Sequence, residues 1–373
     1  MKLRRASRSF GHEKVKTMME AIQLKDYTIY VGPLQQSLPG FLDGLSYGAL
    51  FVIADENTGA FCLPLLEKVL GHNRYHLIQI PAGETHKNLD TCRQIWAQLM
   101  EQHAGRDALV LNLGGGVIGD MGGFCAATFK RGIRFIQVPT TLLSQVDASI
   151  GGKLGVDFMQ VKNSIGLFRD PLAVFIDPVF LETLPWRELR SGFAEIIKHS
   201  LIADVGLWNQ LQQYHRIDEA SWETLIGASL HIKKRVVEAD PFEKGLRKAL
   251  NFGHTIGHAI EGFALETETP LLHGEAIAIG MACEAYLSAK ELGLPEKELE
   301  QAARYILQHF GHQALDPSHY EAYLHLMRND KKNEGQHINF SLINPIGQAA
   351  INRHCSPALI VKSLEFYNAL AKA

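Results

Sequence analysis

"ALVLNLGGGVIGDMGGF", residues 108–124, is the stretch on which the fold turns. The run "ALVLNL", apolar at all but Asn112, reads as a strand buried on both faces, the pattern of a parallel sheet covered by helices. Directly after it, Gly114, Gly116 and Gly119 satisfy G-x-G-x-x-G where the strand gives way to a helix. Without side chains the backbone can approach a pyrophosphate closely, and the helix N-terminus offers free N–H groups with partial positive charge. The alternative reading of the same glycines is tight packing of helix on strand.

Working outward, the runs "TIYVG", "ALFVIAD", "HLIQI", "RFIQVP" and "AVFID" alternate with helical patterns from residue 28 to about 185. This predicts an α/β N-terminal domain with a parallel, Rossmann-like dinucleotide-binding sheet. The acid expected about twenty residues after the glycine loop, to hold a ribose, is absent, because the next strand ends at Pro139 and Thr140. Asp55 closes "FVIAD" instead and suits that task if the strands are wound in another order. "PAGETHKN", residues 81–88, brings Glu84 and Lys87 to the same edge.

From Pro185 on, long 3.6-period segments follow one another: "WRELRSGFAEIIKHSLI", "LIGASLHIKKRVVEA", "LRKALNFGHTIGHAIEGF" and "GEAIAIGMACEAYLSAKEL". They predict a mostly α C-terminal domain, with one late hairpin in "HINFSLINPIGQAAINR" turning at Asn344 to Gly347. A chain of 373 residues exceeds the size of a single core, so the organisation expected is a flexible tail over 1–26, an α/β domain over 27–185 and a helical domain over 186–373, the two domains abutting at a cleft. The basic start, "MKLRRASRSFGHEKVKTMMEAIQL", lacks the apolar core of a secretory signal, and Met18 and Met19 are alternative starts.

A net charge of −3 argues against a dominant polyanion-binding surface. Five singly placed cysteines with no C-x-x-C pair argue for reduced thiols in a cytoplasm. No apolar run of about 18 residues occurs, so no membrane span is expected.

In "LNFGHTIGHAIE" a helix puts His254, His258 and Glu261 on one face, which permits a metal site without establishing one. "GFAEIIKHS" offers a further ligand. Glu195 is an acid among apolar residues, and a buried carboxylate is costly unless paired or metal-bound; a structural ion pair with Lys198 is the competing reading. His273 heads the apolar helix of "LLHGEAIAIGM". Two histidines and one glutamate would leave an open coordination position, as in catalytic zinc sites. Between the halves, Asp147, Lys153, Lys162 and Asn163 lie among glycines, where main chain could wrap a phosphate or carboxylate and an ammonium supply charge; solvated surface lysines are the plain alternative.

Six stretches now stand in order: "GGGVIGDMGGFCAATFKRG", "PTTLLSQVDASIGGKLGVDF", "KNSIGLF", "ETLPWRELRSGFAEIIKHSLI", "KGLRKALNFGHTIGHAIE" and "LLHGEAIAIGM". Together they resemble the 3-dehydroquinate synthase family of the shikimate pathway, from about Tyr30 to Gly347. The resemblance implies a homodimer with bound NAD and one zinc or cobalt ion, held by Glu195, His254 and His273. It implies closure of 3-deoxy-D-arabino-heptulosonate 7-phosphate to 3-dehydroquinate and phosphate, through transient oxidation, elimination, re-reduction and an intramolecular aldol step. Carried over by motif, Lys153, Asn163 and Lys331 or Lys332 would bind phosphate, with Arg131 from the neighbouring subunit. Lys198, Lys233, Arg247 and Asn251 would hold carboxylate and hydroxyls, Glu243 and His258 would handle protons, and Asp147 would orient substrate. The cofactor positions implied are Asp55, Asn57, Glu84, Lys87, Gly114, Gly115, Gly116, Asp120, Thr140, Thr141, Lys162, Phe180 and Thr183.

Two departures stand out: Leu154 where the family often has Thr, and a slightly long "ETETP" before His273. Rival readings are a valiolone- or deoxyinosose-forming sugar phosphate cyclase, a metal-dependent polyol dehydrogenase, and a non-enzymatic NAD- or zinc-binding module.

Overall fold

The computed structural model describes residues 19–159, 161–265, 267–329 and 338–372. Lys331 and Lys332 lie outside the described residues. Two compact units emerge: the first runs to Pro185 and also takes in Trp222–Leu230, and the second comprises Trp186–Ser221 and the chain from His231 on.

In the first unit the elements are β1 (Glu20–Gln23), β2 (Thr28–Val31), α1 (Leu34–Asp43), β3 (Leu50–Asp55), α2 (Glu56–Phe61), α3 (Leu63–Leu70), β4 (Tyr75–Ile80), α4 (Leu89–Glu101), β5 (Leu109–Gly114), α5 (Gly116–Thr128), β6 (Arg134–Pro139), β7 (Lys153–Phe158), β8 (Val161–Phe168) and β9 (Ala173–Ile176). Seven strands form one sheet in the order β1-β2-β9-β6-β5-β3-β4, parallel except for the β1 edge. Its central strands β3, β5, β6 and β9 are mostly apolar because both faces are covered, while the edge strands β1 and β4 carry exposed polar residues. Phe51, Ile53 and Val110 face α4 and α5 through Ile95, Leu99, Ile118 and Phe124, while Leu50, Val52, Leu109 and Leu111 face α1 and α3 through Leu38, Leu42, Leu66 and Leu70.

The order holds a reversal. From β3 the chain passes to β4 on one side and then to β5 on the other. At such a switch point the loops leaving two neighbouring strands diverge and open a crevice at their C-terminal ends, where ligands bind in open α/β sheets. Asp55 ends β3 and the glycine loop follows β5, so both border this crevice.

Two local expectations are corrected. Residues 20–23, assigned to the tail, form an antiparallel edge strand because Ile22 and Leu24, two apart, are both buried. The glycine-rich stretch around Lys153 and Asn163 is the hairpin β7–β8 and not an anion-wrapping loop. Its Gly155 and Gly166 are cross-strand partners, and a Cβ on Gly166 would sit 2.3 Å from the Leu154 carbonyl oxygen, so these glycines permit close strand approach.

The remaining elements are α6 (Trp186–Ala203), α7 (Val205–Leu211), α8 (Trp222–Ala239, its first half in the first unit), α9 (His254–Ala264), α10 (His273–Leu292), α11 (Glu296–Phe310), α12 (Tyr320–Arg328), the hairpin β10–β11 (Asn339–Ile343, Ala349–His354) and α13 (Pro357–Ala369). Helix α10 is central to the second unit. A Cβ on Gly274 would lie 1.9 Å from the Ser191 carbonyl oxygen on α6, and one on Gly280 equally close to the Gly253 carbonyl oxygen, so α10 touches its neighbours main chain to main chain. The segment 246–263, read as one helix, is broken. A 3-10 turn over Leu246–Asn251 ends before Gly253, whose φ of 79° is left-handed, and α9 starts afresh at His254. Among the described residues no helix is long and apolar enough to cross a membrane.

Candidate functional site

The second unit brings Glu195, His254 and His273 together from three helices. Glu195 is fully buried on α6, and its Oε1 lies 3.6 Å from His254 Nε2 and 3.5 Å from His273 Nε2. These separations exceed ordinary N–H···O hydrogen bonds. They match the spacing of about 3.4 Å that tetrahedral angles impose on N and O ligands about 2.0–2.2 Å from a zinc ion.

The far ring nitrogens are held. His254 Nδ1 lies 3.1 Å from the Phe252 carbonyl oxygen, and His273 Nδ1 lies 3.3 Å from Glu261 Oε2. Both partners are acceptors, so each neutral ring carries its proton on Nδ1 and turns the Nε2 lone pair toward Glu195. This is the outer-shell arrangement of metal-ligating histidines. Burial opposes a charged His273, yet Glu195 and Glu261 together lift its pKa to about 9. With three donor side chains converging at ligand spacing and the far ring nitrogens held by acceptors, the three residues fit a divalent metal.

His258 follows one turn after His254, with its ring 5.0 Å from that of His254 and 5.7 Å from that of His273. The three imidazoles offer donor atoms within 4.8 Å of one another, so His258 borders the centre while remaining exposed. Lys198, one turn after Glu195 and 1% exposed, contacts Glu195 Oε2. The ion pair weighed against metal ligation therefore exists beside it: one carboxylate oxygen faces the ammonium, the other the imidazoles.

In the same unit, Asp240 accepts from the main-chain N–H groups of Lys244, Gly245 and Arg247 and so fixes the loop between α8 and α9. The buried Arg247 donates to the Pro241 carbonyl at 2.7 Å, and Asn251 Nδ2 donates to Glu243 Oε1 at 2.8 Å. Glu243 itself holds a left-handed φ of 57°. Lys233, on the later part of α8, is buried.

In the first unit, Gly115 caps α5 with no side-chain cap bond and no acidic residue stands in its first turn, so no side chain of the helix's own start neutralises its positive end. Thr140 N–H donates to the Gly114 carbonyl at 3.0 Å, and a Cβ on Gly115 would sit 3.0 Å from Thr141 Cγ2, so the loops after β5 and β6 lie against each other. The packing reading also has support at Gly119, whose carbonyl accepts from Gln137 Nε2 on β6 at 2.9 Å and where a Cβ would lie 3.4 Å from Gln137 Oε1. Lys87 is buried and donates to Asp120 Oδ2 at 2.6 Å and Asn163 Oδ1 at 2.7 Å. Burial alone would lower its pKa; the carboxylates of Asp120, Glu84 and Asp157 together outweigh burial and the pKa is raised. Asn163 thus sits with two of the residues expected at the cofactor.

Other expected residues are placed less tellingly. Asp55 caps α2, its Oδ1 accepting from Thr58 N–H at 2.7 Å, while Asn57, two residues on, and Glu84, after β4, are exposed. Phe180 belongs to the core, and the Thr183 hydroxyl donates to its carbonyl. Asp147 is half-buried in a π-turn over Ser144–Ala148, Lys153 is exposed at the start of β7, Lys162 is half-buried on β8, and Arg131 is exposed at a left-handed φ of 71°. The sequence reading missed Glu261 as the partner of His273, and missed Glu275 and Glu284 on α10; both α10 acids show the same signal that singled out Glu195, an acid in an apolar run.

In fold the chain is similar to two solved enzymes. A 2-deoxy-scyllo-inosose synthase, crystallised with carbaglucose-6-phosphate, NAD+ and Co2+, aligns at TM-score 0.83 and 23% identity over 94% of this chain and 99% of that one. A 2-epi-5-epi-valiolone synthase from Streptomyces hygroscopicus subsp. jinggangensis, with NAD+ and Zn2+ bound, aligns at TM-score 0.81 and 28% identity over the same shares. The fold is therefore that of the dehydroquinate synthase-like sugar phosphate cyclases. Within that class, the family models for the N-terminal and C-terminal regions of 3-dehydroquinate synthase match residues 77–191 and 192–333. A 3-dehydroquinate synthase of Parabacteroides distasonis is 44% identical over 337 residues, 90% of this chain and 95% of that protein. The chain belongs to the 3-dehydroquinate synthase family.

Proposed function

We propose that the protein is a carbon–oxygen lyase that converts 3-deoxy-D-arabino-heptulosonate 7-phosphate to 3-dehydroquinate and phosphate, the ring-closing step of the shikimate pathway. The observation that carries this reading is the 44% identity to a 3-dehydroquinate synthase across 90% of the chain, against 28% and 23% for the valiolone- and inosose-forming enzymes of the same fold.

Glu195, His254 and His273 are the residues that would hold a zinc or cobalt ion, which supplies Lewis-acid polarisation of a substrate hydroxyl. The glycine loop Gly114–Gly116 and the Thr140–Thr141 turn would take the pyrophosphate of NAD, which supplies a reversible hydride acceptor, so no net oxidation results. Asp55, Asn57, Glu84, Lys87, Asp120, Lys162, Phe180 and Thr183 complete the cofactor assignment. Lys87, neutralised by Asp120, fits a positioning task better than that of a bare phosphate-binding charge.

Lys153 and Asn163, with Lys331 or Lys332, are assigned to the substrate phosphate, and Arg131 to the phosphate of a neighbouring subunit in a homodimer. Lys198, Lys233, Arg247 and Asn251 bind the carboxylate and hydroxyls. Fixing one conformer lowers the entropic cost of elimination and of aldol closure. His258, exposed beside the donor set, and Glu243, anchored by Asn251, move protons; Asp147 orients substrate. Five buried cysteines without disulfides accord with a cytoplasmic setting.

The test is phosphate release from the heptulosonate phosphate with NAD and Zn2+ or Co2+ present, with absorbance at the NADH band followed in the same cuvette. Phosphate release with no accumulating NADH is expected. Steady NADH accumulation, or no release, overturns the proposal.

A further inference from the structure

Helix α10 carries a second acid whose surroundings tie it to the donor set. Glu284 is 0% exposed, three turns beyond His273. Its Oε2 accepts from Gly253 N–H at 2.6 Å, and its Oε1 accepts from Thr255 N–H and Ile256 N–H, both at 3.1 Å. These three groups belong to the N-terminus of α9, which begins at His254 and has no cap from its own side chains. The orphan donors of one helix are thus satisfied by a carboxylate from another, and the positive end of the α9 dipole favours that charge. The reach depends on close main-chain contact: at Gly253 a Cβ would lie 2.5 Å from Met281 Cγ and 3.1 Å from the Ile277 carbonyl oxygen.

The two histidines of the donor set ride on the two helices this carboxylate joins. His254 opens α9 and His273 opens α10, so the position of the first α9 turn against α10 sets the spacing of their Nε2 atoms. We infer that Glu284 is a positioning residue for the metal centre: it touches neither metal nor substrate, and fixes the entry of α9 so that His254 meets Glu195 and His273 at ligand spacing. This rests on the reading of Glu195, His254 and His273 as metal ligands.

The test uses the full chain, stripped of metal and titrated with Co2+ against a chromophoric chelator, with the visible d–d band recorded. Glu284→Gln keeps the shape and removes the charge. It is expected to fold, to bind Co2+ about 10- to 100-fold more weakly, and to shift the d–d band, as loss of an outer-shell partner does. Ser288→Ala, on the same helix, removes a hydroxyl that bridges the Glu284 carbonyl and Ile343 N–H, and serves as the structural control. It is expected to lower stability and leave Co2+ affinity and band unchanged.

A folded Glu284→Gln with wild-type affinity and band overturns the inference, as does an equal loss of affinity in Ser288→Ala. Should Glu284→Gln fail to fold, Glu284→Asp gives the same reading: affinity about tenfold weaker supports the inference and unchanged affinity overturns it. His254→Ala separates the two layers. If it abolishes Co2+ binding while Glu284→Gln binds normally, only the inference falls; if it binds normally, the ligand assignment falls and the inference with it.

Discussion

Replacing Glu195 by Gln should destabilise the metal-free protein far more than an isosteric change normally does. Glu195 and Lys198 are 0% and 1% exposed and in contact, so removing the carboxylate charge leaves a buried ammonium uncompensated. Breaking a buried pair from one side typically costs about 3–5 kcal/mol. Scaled to a chain of 373 residues, each kcal/mol lowers Tm by about 1–1.5 °C, so a fall on the order of 5 °C is expected. The double variant Glu195→Gln/Lys198→Met should recover most of it, since the orphaned charge is gone. The assay is thermal unfolding of chelator-treated protein at pH 7. An unchanged Tm for the single variant, or a double variant no better than the single, refutes the argument.

The raised pKa of His273 gives a pH dependence. At about 9 it stands above the ordinary value near 6.5, so in the metal-free protein its stabilisation is full below about 6.5 and is lost as pH rises through 9. Because metal must displace that proton, Co2+ affinity should rise about tenfold per pH unit up to roughly 9 and then level off; a chelator competition that is flat from pH 6.5 to 9 contradicts this. Lys87→Met should weaken NAD binding about tenfold by calorimetry while Co2+ affinity stays constant, because Asp120 and Asn163 lose their shared cation; equal NAD affinity would remove Lys87 from the cofactor set. Gly274→Ala forces a methyl to within 1.9 Å of the Ser191 carbonyl and should cost about 3 kcal/mol in urea unfolding, more than ordinary overpacking, with Co2+ binding weakened as α6 and α10 part. A wild-type midpoint would show that the helices separate freely.

The central strands were legible because both faces of the sheet are covered and leave nearly continuous apolar runs such as Leu109–Leu113, interrupted only by the buried Asn112. What escaped has particular causes. At β1 only Ile22 and Leu24 mark the strand, within a basic setting, and in β7–β8 the glycines suggested a loop where they allow strands to cross closely. Gly253 passes for an ordinary member of a helical pattern until its left-handed φ is seen.

Of the site, Glu195 could be found because a lone acid in "FAEII" must have a reason to be buried. Glu284 in "MACEAYL" obeys the same rule. The grouping of Lys87 with Asp120 and Asn163 joins positions 33 and 76 residues apart, a proximity created only by strand order, and no local pattern announces it. The hydrogen bonds that turn His254 and His273 toward Glu195 are equally invisible before folding.

Metal content tests the central claim most directly. Elemental analysis of the purified protein after dialysis should find about one zinc or cobalt per chain in the wild type, and almost none in His254→Ala or His273→Ala with unchanged circular dichroism. A full equivalent retained in both folded variants would contradict the assignment of these side chains as the metal's grip.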